Sequence, residues 1–255
     1  MERIGAVQAA HFRRNGFFLM ANPLSAGTMS EVDIRQRAVE KAWEETIFPQ
    51  RFNRSACQFL MLGELLLREV ERPEFLALAR QLLGCEEVHV GACGLGDAAK
   101  IIAADGRSRH QVHWHADGGP QVAQVALRTV LDAHANGNGP LRVLPGSQCR
   151  GGEEMAEEFK QLELATGAHD SEPTLSFARH PHEVEVHLNP RWTLVWNPST
   201  WHATGKKTAT GPRRAMSWNY FPAGGRRRDS EAVKYIFDGQ WQDWSPARQN
   251  LWGLI

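Results

Sequence analysis

The residues best suited to chemistry lie in the stretch 111–117, which reads QVHWHAD. Within it, His115 and Asp117 are two positions apart, so both would point to one face of a strand, because strand side chains alternate with a period of 2. A further imidazole is available far downstream, where the stretch WNPSTWH ends at His202. Two imidazole nitrogens and one carboxylate oxygen on one face of a metal form the ligand set of non-haem Fe(II) sites. These three residues therefore predict a metal site.

His113 offers an alternative within the same stretch. It shares the face of His115 in a strand, so it is either a group behind the ligands or a rival ligand. A cupin-type metal enzyme or binding protein would use His113, His115 and His202 instead. A cupin HxH pair is usually followed within a few residues by a glutamate ligand, whereas Ala-Asp-Gly-Gly follows here, which favours Asp117.

The composition places these residues in an ordinary folded protein. Hydrophobic residues make up 42% and charged residues 23% of the 255, which are globular values. Lys+Arg and Asp+Glu both count 29, so no basic footprint for nucleic acid is present. The four cysteines form no C-x-x-C pair and predict reduced thiols in the core. With no secretory leader and no apolar run of membrane-spanning length, we expect a cytoplasmic protein without a nucleic-acid or membrane partner.

Two kinds of element surround the chemical residues. The N-terminal third is mainly helical, with helices predicted over about 30–46, 62–70 and 73–83 after a short strand at 17–20. From residue 87 the hydrophobic period changes to 2, which predicts strands over 88–90, 111–115, 122–131, 141–144, 183–188, 192–196 and 214–221. A helical insertion is predicted at 153–164, followed by a loop over 165–182.

The domain organisation follows from this order of elements. Short strands at such spacing predict a sandwich or barrel, so the fold class is mainly β with flanking α-helices. We expect one domain over 1–255, comprising a helical third (1–86), a β core (87–222) and a tryptophan-rich tail (223–255). No linker is long enough to divide it.

Three other motifs predict ordinary structure. Residues 91–96, GACGLG, predict a turn rather than a dinucleotide site, because the spacing is G-x-x-G-x-G and no βαβ unit follows. The basic run 226–228 predicts a solvated turn. His180, His182 and His187 have no carboxylate or cysteine at useful spacing within the tight part of their cluster and are interpreted as surface histidines.

The motifs that flank the chemical residues follow the order of a known family. After H-x-D come a strand, an NGNG turn at 136–139, PLRVLPGS at 140–147, WTLVWNPSTWH at 192–202 and PRRAMSW at 212–218. In this order the sequence resembles the phytanoyl-CoA dioxygenase family of Fe(II)/2-oxoglutarate oxygenases over about residues 110–222. The resemblance implies a double-stranded β-helix (jelly-roll, cupin-like) core packed against N-terminal helices. Where the family ends its P-G-S motif with a histidine that is not a metal ligand, Gln148 stands here.

The resemblance also implies roles for individual residues. His115, Asp117 and His202 would hold Fe(II). Arg213, eleven positions after His202, would hold the distal carboxylate of 2-oxoglutarate, since a guanidinium binds a carboxylate through two parallel hydrogen bonds. Arg214 is the adjacent contender, but in a strand it would point to the opposite face.

Three further positions are matched to the co-substrate or to the surroundings of the metal. Thr204 corresponds to a hydroxyl position that touches the co-substrate in the family. Arg128, on the strand after the H-x-D loop, would point inward and contact either acid, and His113 would lie behind the ligands.

The activity implied by the resemblance is that of an enzyme with Fe(II), 2-oxoglutarate and O₂. It would oxidise an unactivated C–H bond of a small organic molecule, by hydroxylation or by desaturation or cyclisation, and release succinate and CO₂. The substrate would belong to specialised, natural-product metabolism. The tryptophan-rich tail would cover either the mouth of the active site or a partner subunit, and the second case corresponds to a homo-oligomer. A binding module that has lost turnover is the least favoured interpretation, because the ligand set and Arg213 are intact.

Overall fold

A computed structural model describes residues 4–45, 51–97, 101–102, 108–109, 114–119, 122–135, 137–166, 179–205, 207–225 and 227–255. Its helices are α1 (Ala6–Asn15), α2 (Ala26–Glu45), α3 (Arg54–Leu60), α4 (Glu64–Val70), α5 (Pro73–Leu83), α6 (Gly152–Thr166), α7 (Ser230–Ile236) and α8 (Pro246–Leu251). Its strands are β1 (Phe17–Ala21), β2 (Val88–Asp97), β3 (Ile101–Ile102), β4 (Ser108–Arg109), β5 (Val125–Val130), β6 (Leu141–Val143), β7 (Val184–Val186), β8 (Trp192–Trp196), β9 (His202–Thr204) and β10 (Arg214–Pro222).

Two antiparallel sheets share an apolar core. The larger has the strand order β1-β8-β5-β10-β2, and the smaller has the order β7-β6-β9. Leu141, Val143 and Val186 of the smaller sheet pack in one buried cluster with Leu194 and Trp196 of the larger sheet. The predicted combination of helices with antiparallel sheets is therefore confirmed.

Helices α3 and α5 cover the outer face of the five-stranded sheet. Trp218 of β10 is fully buried there, with its ring centroid 6.3 Å from Phe59 of α3 and 5.6 Å from Phe75 of α5. α5 begins at Pro73 and ends before Gly84, which has a positive φ of 67°, as helix termini prefer. This packing leaves the inner face of the sheet to line the space toward the smaller sheet.

The prediction of a turn at 91–96 is wrong, because these residues belong to the ten-residue strand β2. The glycines serve close packing rather than a turn. A Cβ at Gly94 would lie 2.7 Å from Ser55 Oγ, and one at Gly96, where φ is +125°, would lie 2.6 Å from Gln58 Oε1. The start of α3 thus approaches β2 to a distance that only glycine permits.

Most other predicted elements lie within a few residues of the observed ones. The strand at 192–196 and the helix at 73–83 have the predicted bounds. The elements that were not predicted individually are α1, α3, α7, α8, β3, β4 and β9. Residues 111–113 of the predicted strand and 167–178 of the predicted loop lie outside the described residues. Among the described helices, none combines the length and hydrophobicity that a bilayer crossing requires.

The cysteines are only partly where the sequence predicts them. All four are free thiols, and Cys57 and Cys93 are buried. Cys85 is half-buried and Cys149 is exposed, so the prediction of core thiols is wrong for these two.

Candidate metal centre

The structure brings His115, Asp117 and His202 together between the two sheets. The two histidines form a backbone bridge, with His115 N donating to His202 O (3.0 Å) and His202 N donating to His115 O (2.9 Å). Asp117 N donates to Pro198 O (2.9 Å), which places the carboxylate beside the imidazoles. One ligand atom from each of the three side chains lies within 4.8 Å of the other two. Each imidazole Nε2 is 4.0 Å from an oxygen of Asp117.

The surroundings of His202 favour the neutral, metal-binding form of its ring. Its Nδ1 lies 2.8 Å from Thr200 O, so Nδ1 carries the proton and Nε2 is left as an electron-pair donor on the side of Asp117. Burial holds the pKa of His202 well below its ordinary value, and the neighbouring His115 lowers it further. The Trp196 ring packs edge-on at 4.5 Å and fixes the imidazole orientation.

The loop that carries Asp117 is fixed through its backbone. Gln124 Nε2 donates to Asp117 O and to Ser199 Oγ (3.1 Å). Asn219 Nδ2 donates in turn to Gln124 Oε1 (3.2 Å). These bonds immobilise the main chain, whereas the carboxylate itself stays 56% exposed and available to a ligand.

Arg213 is buried, and its guanidinium is only partly hydrogen-bonded within the described residues. Its backbone N donates to Asp97 Oδ2 (2.9 Å) and its Nε to Gly139 O (2.6 Å), but neither Nη atom has a hydrogen-bond partner among the described residues. Gly139 has a φ of +62°, and a Cβ there would lie 2.8 Å from Arg213 Nε, which explains the glycine of the predicted turn. Burial lowers the pKa of Arg213 to about 9, and the charge of Arg128 adds to the shift. A buried guanidinium in this state favours an anionic ligand.

Arg128 and Thr204 line the same cavity from β5 and β9. Arg128 Nε has no hydrogen-bond partner in the described part of the chain. Burial lowers the pKa of Arg128 to about 10, and the charge of Asp117 opposes that shift. By contrast, Arg214 lies on the other face of its strand, as the alternation predicts, with Nη2 2.8 Å from Asp132.

One cavity of about 380 Å³ is lined by the three candidate metal ligands and by Arg128, Thr204 and Arg213. Its ionisable lining comprises three arginines, one aspartate and the two histidines, so it is electropositive. The lining residues are Asn53, Ala92, Cys93, His115, Asp117, Arg128, Leu141, Trp196, Pro198, His202, Ala203, Thr204, Arg213, Ser217, Asn219 and Arg228. A larger cavity of about 720 Å³, between α5, β2 and α8, contains none of the predicted site residues.

Four polar residues of this lining were missed in the sequence: Asn53, Ser217, Asn219 and Arg228. Ser217 and Asn219 carried a usable signal, because polar residues at alternate positions of an apolar strand mark a polar inner face. Asn53 and Arg228 lie outside the predicted β core and carried none.

Two predictions about charged clusters need correction. The basic run 226–228 is not simply a solvated turn, because Arg228 lines the cavity, while Arg226 lies outside the described residues. His180 is not a surface histidine either, since it is buried with Nε2 2.7 Å from Glu158. His182 and His187 are exposed as predicted. His113 lies outside the described residues, so its role stays a prediction.

Comparison with known proteins identifies the family of the chain. The model of the phytanoyl-CoA dioxygenase (PhyH) family matches residues 12–215. An ectoine dioxygenase of Bordetella parapertussis is 30% identical over 156 residues, which cover 57% of this chain and 50% of that protein. The chain thus spans about half the length of the curated relatives it matches.

Two solved structures show the same fold at low identity. EctD from S. alaskensis, solved with 2-oxoglutarate and 5-hydroxyectoine, is 23% identical with a TM-score of 0.58, over 88% of this chain and 78% of its own. The α-ketoglutarate-dependent epimerase SnoN from nogalamycin biosynthesis is 20% identical with a TM-score of 0.60, over 91% and 88% of the two chains. The match of the family model over most of its length shows that the chain belongs to the phytanoyl-CoA dioxygenase family.

Proposed function

We propose that this protein is an Fe(II)- and 2-oxoglutarate-dependent dioxygenase that oxidises an unactivated C–H bond of a small organic molecule. One observation carries the proposal. Three side chains with metal-ligating atoms within 4.8 Å of one another share a cavity with Arg128, whose Nε has no partner in the described residues, and Arg213, whose two Nη atoms have none. A metal and a dianion are the two ligands that such a lining accommodates.

The donor set fits iron. Two imidazoles and one carboxylate are the ligands of non-haem Fe(II) sites, and they occupy one face of the metal. His115, Asp117 and His202 would hold the ion, and Thr200 O would keep the proton on the far nitrogen of His202. With O₂ and 2-oxoglutarate, iron held in this way supplies the oxidising chemistry, with release of succinate and CO₂.

The arginines fit the co-substrate. The two Nη atoms of Arg213 offer parallel donors to the distal carboxylate, and burial strengthens this pairing because the local dielectric is low. Arg128, whose charge is felt by both Asp117 and Arg213, would contact a carboxylate closer to the metal. Thr204 would add a hydroxyl from β9. The substrate would then meet the remaining, more exposed part of the cavity.

The fold part of the proposal is that the two sheets form a double-stranded β-helix within a single domain over 1–255. The apolar core shared by the sheets and the structural likeness to EctD and SnoN support it. A substrate from specialised metabolism is supported by the name of the Bordetella relative, which acts on ectoine, a small molecule.

The cupin-type alternative would move one ligand from Asp117 to His113. Substitution separates the two. Under our proposal, Asp117→Ala abolishes both iron binding and 2-oxoglutarate-dependent succinate release, whereas His113→Ala retains iron. Iron content is measured after anaerobic loading, and succinate is measured in air with the same samples.

Glu157→Ala, a change at an exposed residue of α6, is the control for handling and folding. Loss of iron in His113→Ala together with its retention in Asp117→Ala would establish the cupin-type site instead.

A further inference from the structure

Arg228 brings a third guanidinium to one end of the cavity. Both arginines are anchored on β2: Arg213 N donates to Asp97 Oδ2 (2.9 Å), and Arg228 N donates to Gly91 O (2.8 Å). Six residues separate these anchors, which is about 20 Å at the rise of a strand. The Arg228 guanidinium reaches Cys93 O, four residues before Asp97, so the two side chains meet different parts of the cavity and serve different ligand groups.

A β-bulge makes room for Arg228. The register between β10 and β2 shifts after Asn219, which leaves Gly91 outside the ladder, and such bulges re-aim side chains beside functional sites. Gly91 O accepts the Arg228 N–H instead, and Asp229 Oδ2 accepts the Cys93 N–H (2.8 Å). The segment that carries Arg228 is thus bound to the sheet.

Asp229 holds the Arg228 guanidinium in one orientation. This buried carboxylate accepts from Arg228 Nε (2.8 Å) and Nη2 (3.0 Å), and Nη2 also donates to Cys93 O (3.3 Å). Nη1 has no hydrogen-bond partner among the residues that the structure describes, and the side chain is 41% exposed. A donor that is oriented before the ligand arrives loses little entropy on binding.

Apart from Asp229, which is paired with Arg228, the polar residues of the cavity lining near this end are uncharged. Ser217 and Asn219 come from the inner face of β10, and Asn53 comes from the start of α3, where its Oδ1 accepts from Ala56 N (3.2 Å). Because Asp229 already offsets part of the Arg228 charge, this end suits a singly charged carboxylate better than a phosphate, which carries nearly two negative charges. We propose that Arg228 binds a carboxylate of the substrate, so that the enzyme acts on small carboxylic acids.

The size of the cavity indicates which carboxylic acids could be substrates. Its volume of about 380 Å³ is near the lower end of the range for ligand sites, roughly 300–1,000 Å³, and it must also hold the co-substrate. A substrate of the size of an amino acid or a single-ring acid fits this volume beside the co-substrate. This inference rests on the proposed function, which assigns Arg213 and Arg128 to 2-oxoglutarate.

Matched acids and amides test the inference. Isothermal titration of the iron-loaded protein with 2-oxoglutarate, without O₂, measures the Kd of L-proline and L-prolinamide, of cyclohexanecarboxylate and its carboxamide, and of benzoate and benzamide. In at least one pair the acid binds about tenfold more tightly than the amide. Arg228→Gln weakens that acid about 10- to 100-fold, the value of a charged hydrogen bond, and removes the preference.

Two further variants keep the result interpretable. Arg228→Gln leaves the buried Asp229 without its cation, so the double variant Arg228→Gln/Asp229→Asn removes both charges and shows the same loss in a folded protein. Arg227→Gln removes an equal charge one residue away, outside the cavity lining, and retains the acid preference.

Equal affinity for acids and amides, no binding of any acid, or an unchanged Kd in Arg228→Gln would overturn the inference. The failure of the proposed function looks different, because wild-type protein would then bind no 2-oxoglutarate and release no succinate. If only the substrate inference is wrong, both of those activities persist.

Discussion

The two faces of the five-stranded sheet are built from neighbouring residues and have opposite characters. On the outer face of β10, Trp218 Nε1 donates to the Tyr220 hydroxyl (3.0 Å), which donates to Val70 O (2.5 Å). On the inner face, Ser217 and Asn219 line the cavity. Every polar atom of the outer pair is thus used within the fold, whereas the inner face leaves polar groups facing an open space.

The same contrast separates two consecutive arginines. Arg214 lies 2.8 Å from Asp132 and 2.7 Å from Asp33, and both carboxylates favour its charged form. Arg213 is equally buried, but its Nη atoms have no partner in the described residues. Since buried polar groups are normally satisfied, an arginine with all three guanidinium nitrogens paired indicates stability, and one that leaves an Nη atom unpaired indicates a ligand.

The largest expected effect is on stability, at the outer face. Trp218→Ala removes a fully buried ring between Phe59 and Phe75 and should lower the free energy of unfolding by about 3–5 kcal/mol. Asn219→Ala, the next residue on the inner face, should cost about 1 kcal/mol, the value of one hydrogen bond. Urea denaturation measures both, and equal losses would remove the distinction between the faces.

The paired arginines should separate stability from co-substrate binding. Arg213→Gln should raise the KM for 2-oxoglutarate about 100-fold, because two charge-assisted hydrogen bonds are lost. Arg214→Gln leaves Asp132 and Asp33 without their cation and should lower the free energy of unfolding by about 3 kcal/mol, with the KM unchanged. Steady-state kinetics and urea denaturation of the same two variants provide the comparison. A KM that rises only in Arg214→Gln would reverse the assignment.

The smallest expected effect is a pH dependence near Arg213. Burial lowers the pKa of His134 from its ordinary 6.5 to about 2, and the charges of Arg128 and Arg213 add to the shift. Below pH 6.5 the unfolded chain binds a proton at His134 that the native ring does not bind. The free energy of unfolding therefore decreases by about 1.4 kcal/mol for each unit by which the pH is lowered. Above pH 6.5 this contribution disappears.

His134→Gln should remove that slope. Urea denaturation at pH 7, 6 and 5 gives the difference between wild type and variant, which should be constant at higher pH and should shrink in acid. An identical slope in both proteins would show that other groups account for the acid sensitivity.

The positions of the site residues on the inner face could be predicted from the sequence to different extents. Alternation within one strand placed Arg213 and Arg214 on opposite faces, and the spacing of His115 and Asp117 brought both to one side, because these relations are local. The pairing of His115 with His202 needed a match over 87 positions of chain, which the order of the family motifs supplied.

Other parts of the site depend on contacts between distant segments. Arg228 reaches the cavity because its backbone binds Gly91, and Asn53 reaches it because α3 packs on the glycines of β2. The same glycines looked like a turn, since small residues that permit close packing and those that permit a turn have the same composition. No local pattern distinguishes these cases before the partner segment is known.

The inner face is expected to hold one iron ion and one 2-oxoglutarate, and an anaerobic titration tests this directly. Fe(II) chelated by 2-oxoglutarate absorbs visible light, so absorbance reports both ligands at one site. Wild-type protein loaded with Fe(II) should develop this absorption and saturate at one 2-oxoglutarate per chain, whereas Asp117→Ala and His202→Ala should show none. No absorption in the wild type, or equal absorption in Asp117→Ala, would contradict the account.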